Sequence, residues 1–132
     1  MNQPMIEVSF PGGVRVDAAF KGFTVKTDQP VKDGGGGTAP APFDLFLFSL
    51  ATCAGYYVVS FCEERKIPTV GLGMTMTWDV NREIHLIGTI RIAITLPAGF
   101  PEKYKAAVIR AADLCTVKRT MLNPPAFEIT AV

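Results

Sequence analysis

The length, composition and charge of the chain limit the classes of protein to which it can belong. Its 132 residues, of which 48% are hydrophobic and 19% charged, fit a single domain, residues 1–132. Thirteen basic and 12 acidic side chains leave a formal net charge of +1. Proteins that bind nucleic acid or an anionic membrane surface carry a strong positive potential, so we expect neither partner.

The cysteines and the N-terminus together predict a compartment. The first ten residues, MNQPMIEVSF, lack the basic and then apolar pattern of a secretory signal peptide. Cys53, Cys62 and Cys115 are an odd number of cysteines without C-x-x-C spacing. We therefore expect a cytoplasmic protein whose cysteines are thiols rather than structural disulfides.

Alternation of apolar and polar residues predicts three strands near the N-terminus, at residues 5–10, 14–20 and 23–27. The segments between them, Pro11-Gly12-Gly13 and Lys21-Gly22, are typical of turns. The first thirty residues or so therefore predict a three-stranded meander.

Residues 28–42, DQPVKDGGGGTAPAP, are too rich in glycine and proline for a packed element. We interpret them as a flexible loop. A phosphate-binding loop would place a Lys-Ser or Lys-Thr pair after its glycines, whereas Thr38-Ala39 follows the glycines here. The sequence therefore does not predict a nucleotide site.

An uncharged run without proline, Leu45–Cys62, lies at the centre of the chain. Pro42 suits the first turn of a helix, and Asp44 is favoured there by the helix dipole. Because Pro68 stops continuation, the pattern predicts a helix of about 24 residues that begins near Pro42. A helix that is apolar on all faces is enclosed by protein or by lipid.

Protein is the better enclosure for this helix. A run of about eighteen uncharged residues can cross a bilayer, but four small or polar residues dilute its hydrophobicity: Ser49, Thr52, Gly55 and Ser60. The neighbouring segments also alternate as strands of soluble proteins do, so we expect a core helix and no membrane partner. A chain of this size has few elements to surround the helix, and we therefore expect a homodimer whose interface runs along it.

The second half of the chain predicts a hairpin, a helix and a last strand. Residues 70–80 and 84–96 alternate around a turn at 81–83. Apolar residues recur at helical spacing from 101 to about 121, and FEITAV at 127–132 alternates again. The predicted class is therefore α+β, with segregated strands and two main helices.

Helical geometry separates Cys53 from Cys62. They are nine residues apart, which on a helix is half a turn out of phase and about 13 Å along the axis, too far for a disulfide. Glu63 and Glu64 follow Cys62 directly and disfavour its thiolate. We predict that Cys62 is a core residue.

Cys115 has a different environment in the sequence. Lys118 and Arg119 lie three and four residues later, on the same face of the predicted helix, and we expect them to lower the pKa of the Cys115 thiol. The residues alone leave both chemistry and core packing open for Cys53 and Cys115, because cysteine is among the residue types most often buried.

Two stretches resemble the cysteine motifs of the OsmC/Ohr family. PAPFDLFLFSLATCAGYYV, at 40–58, is similar to the motif of the first cysteine, which lies on an apolar helix after a Gly/Pro-rich loop. AADLCTVKRTMLNPPAFEI, at 111–129, is similar to the motif of the second cysteine, on the later helix before the closing strand. The predicted elements follow the family's order along nearly the whole chain.

The resemblance implies an OsmC-like α+β fold, with antiparallel strands packed on a long buried central helix and a second helix, in an intertwined homodimer. It also implies a function, since the best-studied members reduce organic hydroperoxides with two cysteines at the dimer interface. By position, Cys53 would be the peroxidatic thiol and Cys115 the resolving thiol. Their disulfide would be reduced by an external dithiol, and no metal or organic cofactor is required.

The chain departs from the Ohr branch at two positions that bear on activation of the thiol. That branch has a glutamate ten residues before the first cysteine, where this chain has Phe43, followed by Asp44. It also has an arginine after the glycines of its first turn, where Val14 stands here, followed by Arg15. Arg15 and Asp44 are the candidate replacements; otherwise they are a solvated strand arginine and a dipole-compensating aspartate. The differences favour the looser OsmC-like branch.

Two further expectations concern ligands. His85, the only histidine, lies on a predicted strand and makes a poor metal set with three scattered cysteines. Apolar side chains within two turns of Cys53 favour a substrate with an alkyl chain over hydrogen peroxide: Phe46, Leu50, Tyr56 and Tyr57. The alternative function is that of a non-catalytic OsmC-like protein that binds an apolar small molecule at the dimer interface.

Overall fold

Antiparallel strands and helices make up the protein, which confirms the predicted α+β class. The computed structural model describes residues 3–132. Two compact units are distinguished, Met1–Phe48 and Ser49–Val132, and the boundary between them falls inside the central helix.

The first unit contains an antiparallel sheet whose strands follow one another in chain order. These are β1 (Glu7–Gly12), β2 (Arg15–Phe20) and β3 (Phe23–Thr27). Phe20 pairs with Phe23 across a tight turn in which Lys21 and Gly22 both have positive φ. The predicted meander is confirmed, although β1 begins and ends two residues later than the alternation indicates.

The loop after β3 is held by the buried carboxylate of Asp28. Its Oδ1 accepts a hydrogen bond from the backbone N–H of Gln29 at 2.8 Å, and its Oδ2 accepts one from that of Gly36 at 3.2 Å. Oδ2 also accepts bonds from the backbone N–H and the hydroxyl of Thr38, at 3.1 and 2.7 Å. The hydroxyl bond contributes most to a pKa of Asp28 lowered from 3.8 to about 2. The predicted loop is present, and these hydrogen bonds to Asp28 hold its path.

Gly35 shows why this loop is rich in glycine. A Cβ at this position would lie 1.9 Å from the backbone oxygen of Gln29 and 2.8 Å from Oδ1 of Asp28. The chain passes so closely over itself that only glycine fits. A short 3₁₀ turn, Val31–Asp33, precedes this approach.

The central helix, α1, spans Pro42–Glu64 and begins where the sequence predicts. The carboxylate of Asp44 accepts a hydrogen bond from the backbone N–H of Ala41 at 2.9 Å, which satisfies a donor at the helix N-terminus. At the other end, Lys66 adopts a φ of 55°, and the N–H of Ile67 bonds to the carbonyl of Cys62 at 2.9 Å. This is a left-handed C-cap, which stops the helix before Pro68.

One stripe of α1 is buried: Leu47, Leu50, Ala54, Val58, Phe61 and Cys62. The opposite face exposes large apolar side chains, among them Phe48 at 55%, Tyr56 at 62% and Val59 at 36%. Within one chain the predicted burial of this helix is therefore confined to one face. By length and composition alone α1 could cross a membrane, a test that core helices of soluble proteins also pass.

A long hairpin in the second unit consists of β4 (Gly73–Asn81) and β5 (Leu86–Thr95). Its antiparallel register pairs Met74 with Ile94 and Trp78 with Ile90, and it is interrupted between Asp79 and Val80. The predicted hairpin is confirmed. His85 is not on a strand, however, because it has a φ of 56° and belongs to the turn.

The core of the second unit lies between α1, the hairpin and the following helix. Its buried members are Val58, Phe61 and Val108. The Phe61 ring meets the Tyr104 ring edge to face, with centroids 5.8 Å apart. Partly buried hydrophobic residues complete the cluster: Ile67, Leu72, Met74, Ile94, Leu96, Phe100, Tyr104, Ala107, Ala111 and Ala112.

The prediction of a single helix over residues 101–121 is wrong, because two helices occupy this region. A 3₁₀ turn at Glu102–Tyr104 leads into α2 (Lys105–Asp113), and α3 (Thr116–Leu122) is a separate helix. Cys115 breaks the run, with φ −45° and ψ 121°. Its sulfur accepts a hydrogen bond from the N–H of Lys118 at 3.5 Å, so Cys115 is the N-cap residue of α3.

The strand predicted for residues 127–132 is also not present. The segment alternates as a strand would, but it forms no strand pairing with the described residues, 3–132. Phe127 and Ile129 are 82% and 92% exposed. An extended segment becomes a strand only when a neighbouring strand satisfies its backbone groups.

Candidate functional site

The fold brings together two cysteines that are 62 residues apart in sequence. Cys53 lies in the middle of α1 and Cys115 at the N-cap of α3. The two thiols lie near enough to each other that each shifts the pKa of the other. Both are free thiols; Cys53 is half-buried, and Cys115 is 3% exposed.

The surroundings of Cys53 lower the pKa of its thiol. The backbone N–H of Val117 contributes most, and the Cys115 thiol, the N–H of Thr116 and the positive charge of Arg119 act in the same direction. Burial opposes them. Backbone N–H groups in the first turn of a helix have no intrahelical partner, so they are available to a thiolate.

The pKa of the Cys115 thiol is raised, which corrects the prediction that nearby cations lower it. Burial is the main cause, and the hydrogen bond to Cys53 and its negative charge add to it. Lys118 forms an ion pair with Asp113, which offsets its charge. The charge of Arg119 acts on Cys53 instead.

Cys62 is completely buried, in agreement with its prediction as a core residue. Burial and the charge of Glu63 raise the pKa of its thiol. Among residues 3–132, no group of three or more histidine, cysteine, aspartate or glutamate side chains is placed to hold a metal ion.

Arg15 and Asp44, the other predicted site residues, belong to the first unit. The guanidinium of Arg15 donates hydrogen bonds to the carbonyl oxygens of Gly12 at 3.3 Å and Pro11 at 3.5 Å. Asp44 accepts its bond from Ala41. These contacts correspond to the structural alternative for each residue, and a role for either beside Cys53 stays a prediction.

The site contains contacts that the sequence did not indicate. Tyr57, one turn after Cys53 on α1, lies with its hydroxyl 3.1 Å from Oγ1 of Thr116. The N–H groups of Thr116 and Val117 became available only because the chain breaks at Cys115. No glycine or proline marks that break, so the helical periodicity continues through it, and the sequence carries no signal for it.

The chain matches the model of one protein family, OsmC-like protein, over residues 34–130. Among solved structures, it is similar to a protein of Psychrobacter arcticus 273-4 described as an osmotic stress induced and detoxification response protein, with 24% identity, a TM-score of 0.77 and coverage of 91% of this chain and 89% of the other. An organic hydroperoxide resistance protein of Legionella pneumophila is similar with 17% identity, a TM-score of 0.59 and coverage of 92% and 90%. No curated protein sequence matches.

Proposed function

The chain belongs to the OsmC-like protein family, and we propose that it reduces organic hydroperoxides with the thiols of Cys53 and Cys115. The observation that carries the proposal is that the pKa values of two neighbouring thiols are shifted in opposite directions. The pKa of Cys53 is lowered and that of Cys115 is raised. A peroxidatic cysteine must be a thiolate to attack, whereas a resolving cysteine can wait as a neutral thiol.

In the first step, the Cys53 thiolate attacks the terminal oxygen of the hydroperoxide. A sulfur–oxygen bond forms, the oxygen–oxygen bond breaks, and the leaving alkoxide takes a proton from water to become an alcohol. Cys53 is oxidised to a sulfenic acid by two electrons, and the hydroperoxide is reduced by the same two. The N–H groups of Val117 and Thr116, which lower the pKa of Cys53, stabilise the thiolate before the attack.

In the second step, Cys115 condenses with the sulfenic acid. Its sulfur attacks the sulfur of Cys53, a disulfide forms, and the hydroxyl leaves as water with the thiol proton of Cys115. An external dithiol then reduces the disulfide by exchange, which returns both thiols and oxidises the reductant. We propose a cytoplasmic location, where such reductants maintain thiols.

An organic rather than an inorganic peroxide fits the residues near Cys53. Tyr57 lies one turn away on α1, and the neighbouring Tyr56 exposes 62% of its surface. Such side chains gain free energy by covering an alkyl group and gain nothing from hydrogen peroxide. The name of the Legionella protein, an organic hydroperoxide resistance protein, supports the same substrate class.

We also propose that the protein is a homodimer. The exposed face of α1 carries Phe48, Tyr56 and Val59, and the strands expose further large apolar residues. Monomeric soluble proteins rarely expose contiguous apolar patches larger than a few hundred Å², and a second copy would cover this face.

Steady-state consumption of cumene hydroperoxide in the presence of excess dithiothreitol tests the function. Cys53→Ser should abolish turnover, because no thiolate remains to attack. Cys115→Ser should allow one oxidation and then stall with Cys53 as a sulfenic acid, which dimedone traps. Cys62→Ser is the matched control and should retain activity within about twofold, because Cys62 is in the core.

The alternative function predicts a different outcome. If the wild-type protein consumes no organic hydroperoxide with any dithiol and Cys53 remains unmodified, the peroxidase proposal is wrong. The protein would then be a binding protein for an apolar small molecule.

A further inference from the structure

We propose that Arg119 and Tyr57 are the positioning residues of the Cys53 site in this chain, both acting through Thr116, and that Arg119 supplies its positive charge. The catalytic role of these two residues rests on the proposed function. The contacts that support it are independent of any reaction.

Thr116 is the first residue of α3, and its side chain is held from two sides. The Tyr57 hydroxyl lies 3.1 Å from Thr116 Oγ1, and Nη2 of Arg119 donates a hydrogen bond to the same oxygen at 3.4 Å. Tyr57 comes from α1, the helix that carries Cys53, whereas Arg119 comes from the next turn of α3. The pair therefore ties the first turn of α3 to the helix of the reactive thiol.

The contacts of Tyr57 and Arg119 with Thr116 are important because the first turn of α3 acts on the Cys53 thiol. The backbone N–H groups of Val117 and Thr116 are among the groups that lower the pKa of the Cys53 thiol. Hydrogen bonds to a thiolate depend steeply on distance and angle. A side-chain clamp on Thr116 fixes the direction of these donors toward Cys53.

Arg119 also lowers the pKa of Cys53 through its positive charge, by less than the backbone N–H groups do. Lys118 is paired with Asp113 on the neighbouring helix, whereas no carboxylate of residues 3–132 lies within ion-pair distance of Arg119. An arginine stays protonated throughout the range in which thiols titrate. Its charge therefore favours the Cys53 thiolate at every working pH.

Arg119 differs from the arginine that the sequence suggests as the activating cation. The sequence points to Arg15 on β2, whose guanidinium is bonded to Gly12 and Pro11. Arg119 instead follows Cys115 by one helical turn. The cation and the resolving thiol therefore come from the same short segment.

The test measures the rate at which iodoacetamide alkylates Cys53 in the full-length reduced protein between pH 5 and pH 10, resolved by residue with mass spectrometry. Arg119→Ala should move the midpoint of Cys53 alkylation to higher pH by about half a unit to one unit, and slow the reaction at pH 7 about threefold to tenfold. Tyr57→Phe should shift the midpoint less, in the same direction. Arg119→Lys should restore much of the wild-type midpoint, because it keeps the charge.

Arg110→Ala is the matched control, since it removes an exposed arginine of α2 that has no bond to Thr116. Its midpoint should equal that of the wild type. If Arg119→Ala does not fold, Arg119→Gln provides the test, because glutamine keeps a donor for Thr116 without the charge. It should still shift the midpoint of Cys53 alkylation to higher pH. A midpoint that is the same in the wild type and in the folded Arg119 variants would overturn the inference.

The readout separates this inference from the proposed function. Alkylation requires no hydroperoxide, so a shifted midpoint in a protein without peroxidase activity would leave the inference standing and reject the function. Normal peroxidase activity with an unshifted midpoint would support the function and reject the inference.

Discussion

Three residues of one type have three different environments in this protein. Cys62 is enclosed by the core, Cys115 caps a helix and is buried, and Cys53 is half-buried against backbone donors. Only Cys53 has a pKa lowered from the ordinary thiol value. The chemical difference therefore comes from the position of each side chain rather than from its identity.

Asp28 gives a prediction for pH-dependent stability. Its folded pKa of about 2 lies below the ordinary 3.8, so the carboxylate stabilises the fold fully above about pH 4. That contribution is lost as the pH falls through 2. Asp28→Asn replaces an acceptor with a donor that faces other donors, and should lower the melting temperature at pH 7.

Thermal unfolding of three proteins checks this prediction. Asp33→Asn, a substitution at an exposed aspartate of the same loop, should melt with the wild type at pH 7. Between pH 4 and pH 2, the wild type should lose more stability than Asp28→Asn. Equal melting of Asp28→Asn and Asp33→Asn at pH 7 would show that the carboxylate does not hold the loop.

At the scale of the elements, the sequence predicts the strands and helices that are determined by neighbouring residues in the chain. β3, the start of α1 and the hairpin follow from alternation, Pro42 and turn residues. The break at Cys115 does not, because it depends on a sulfur that caps a helix and is buried by other elements. The approach of Gly35 to Gln29 also depends on how the loop returns on itself, which composition does not specify.

The packing of α1 on β4 gives a second prediction, at Gly55. A Cβ there would lie 3.7 Å from the sulfur of Met74, an ordinary van der Waals distance. Because alanine is favoured over glycine inside a helix, Gly55→Ala should raise the free energy of unfolding by about 0.5–1 kcal/mol. Gly55→Leu should instead lower it by about 1–3 kcal/mol, because the longer side chain displaces Met74.

Urea unfolding at one fixed protein concentration measures both variants, since dimerisation would make stability depend on concentration. A Gly55→Ala protein less stable than the wild type would mean that α1 and β4 approach more closely than this distance indicates.

At the scale of the whole molecule, the main feature is that large apolar side chains are exposed to solvent in the single chain. In the first unit, the strands expose Val8, Phe10 and Phe23 at 53%, 78% and 74%. A three-stranded sheet requires a covered apolar face for stability. These apolar side chains of the sheet are exposed in a single chain, although a stable sheet would have them covered.

The protein should therefore be a dimer at micromolar concentration. Light scattering coupled to size exclusion should give twice the 14.3 kDa mass of one chain. Tyr56→Glu introduces a charge on the exposed face of α1 and should weaken the dimer, whereas Lys32→Glu, a charge change in the 3₁₀ turn of the loop, should not. A folded wild-type monomer of 14.3 kDa would contradict the prediction.

If Cys53 and Cys115 act as a redox pair, peptide mapping of the oxidised protein should find them joined. The reduced protein is treated with one equivalent of cumene hydroperoxide per chain without reductant, its remaining thiols are blocked, and it is digested under non-reducing conditions. We expect a dominant Cys53–Cys115 disulfide and a blocked thiol at Cys62. A dominant disulfide that contains Cys62, or three blocked thiols after the hydroperoxide has been added, would contradict it.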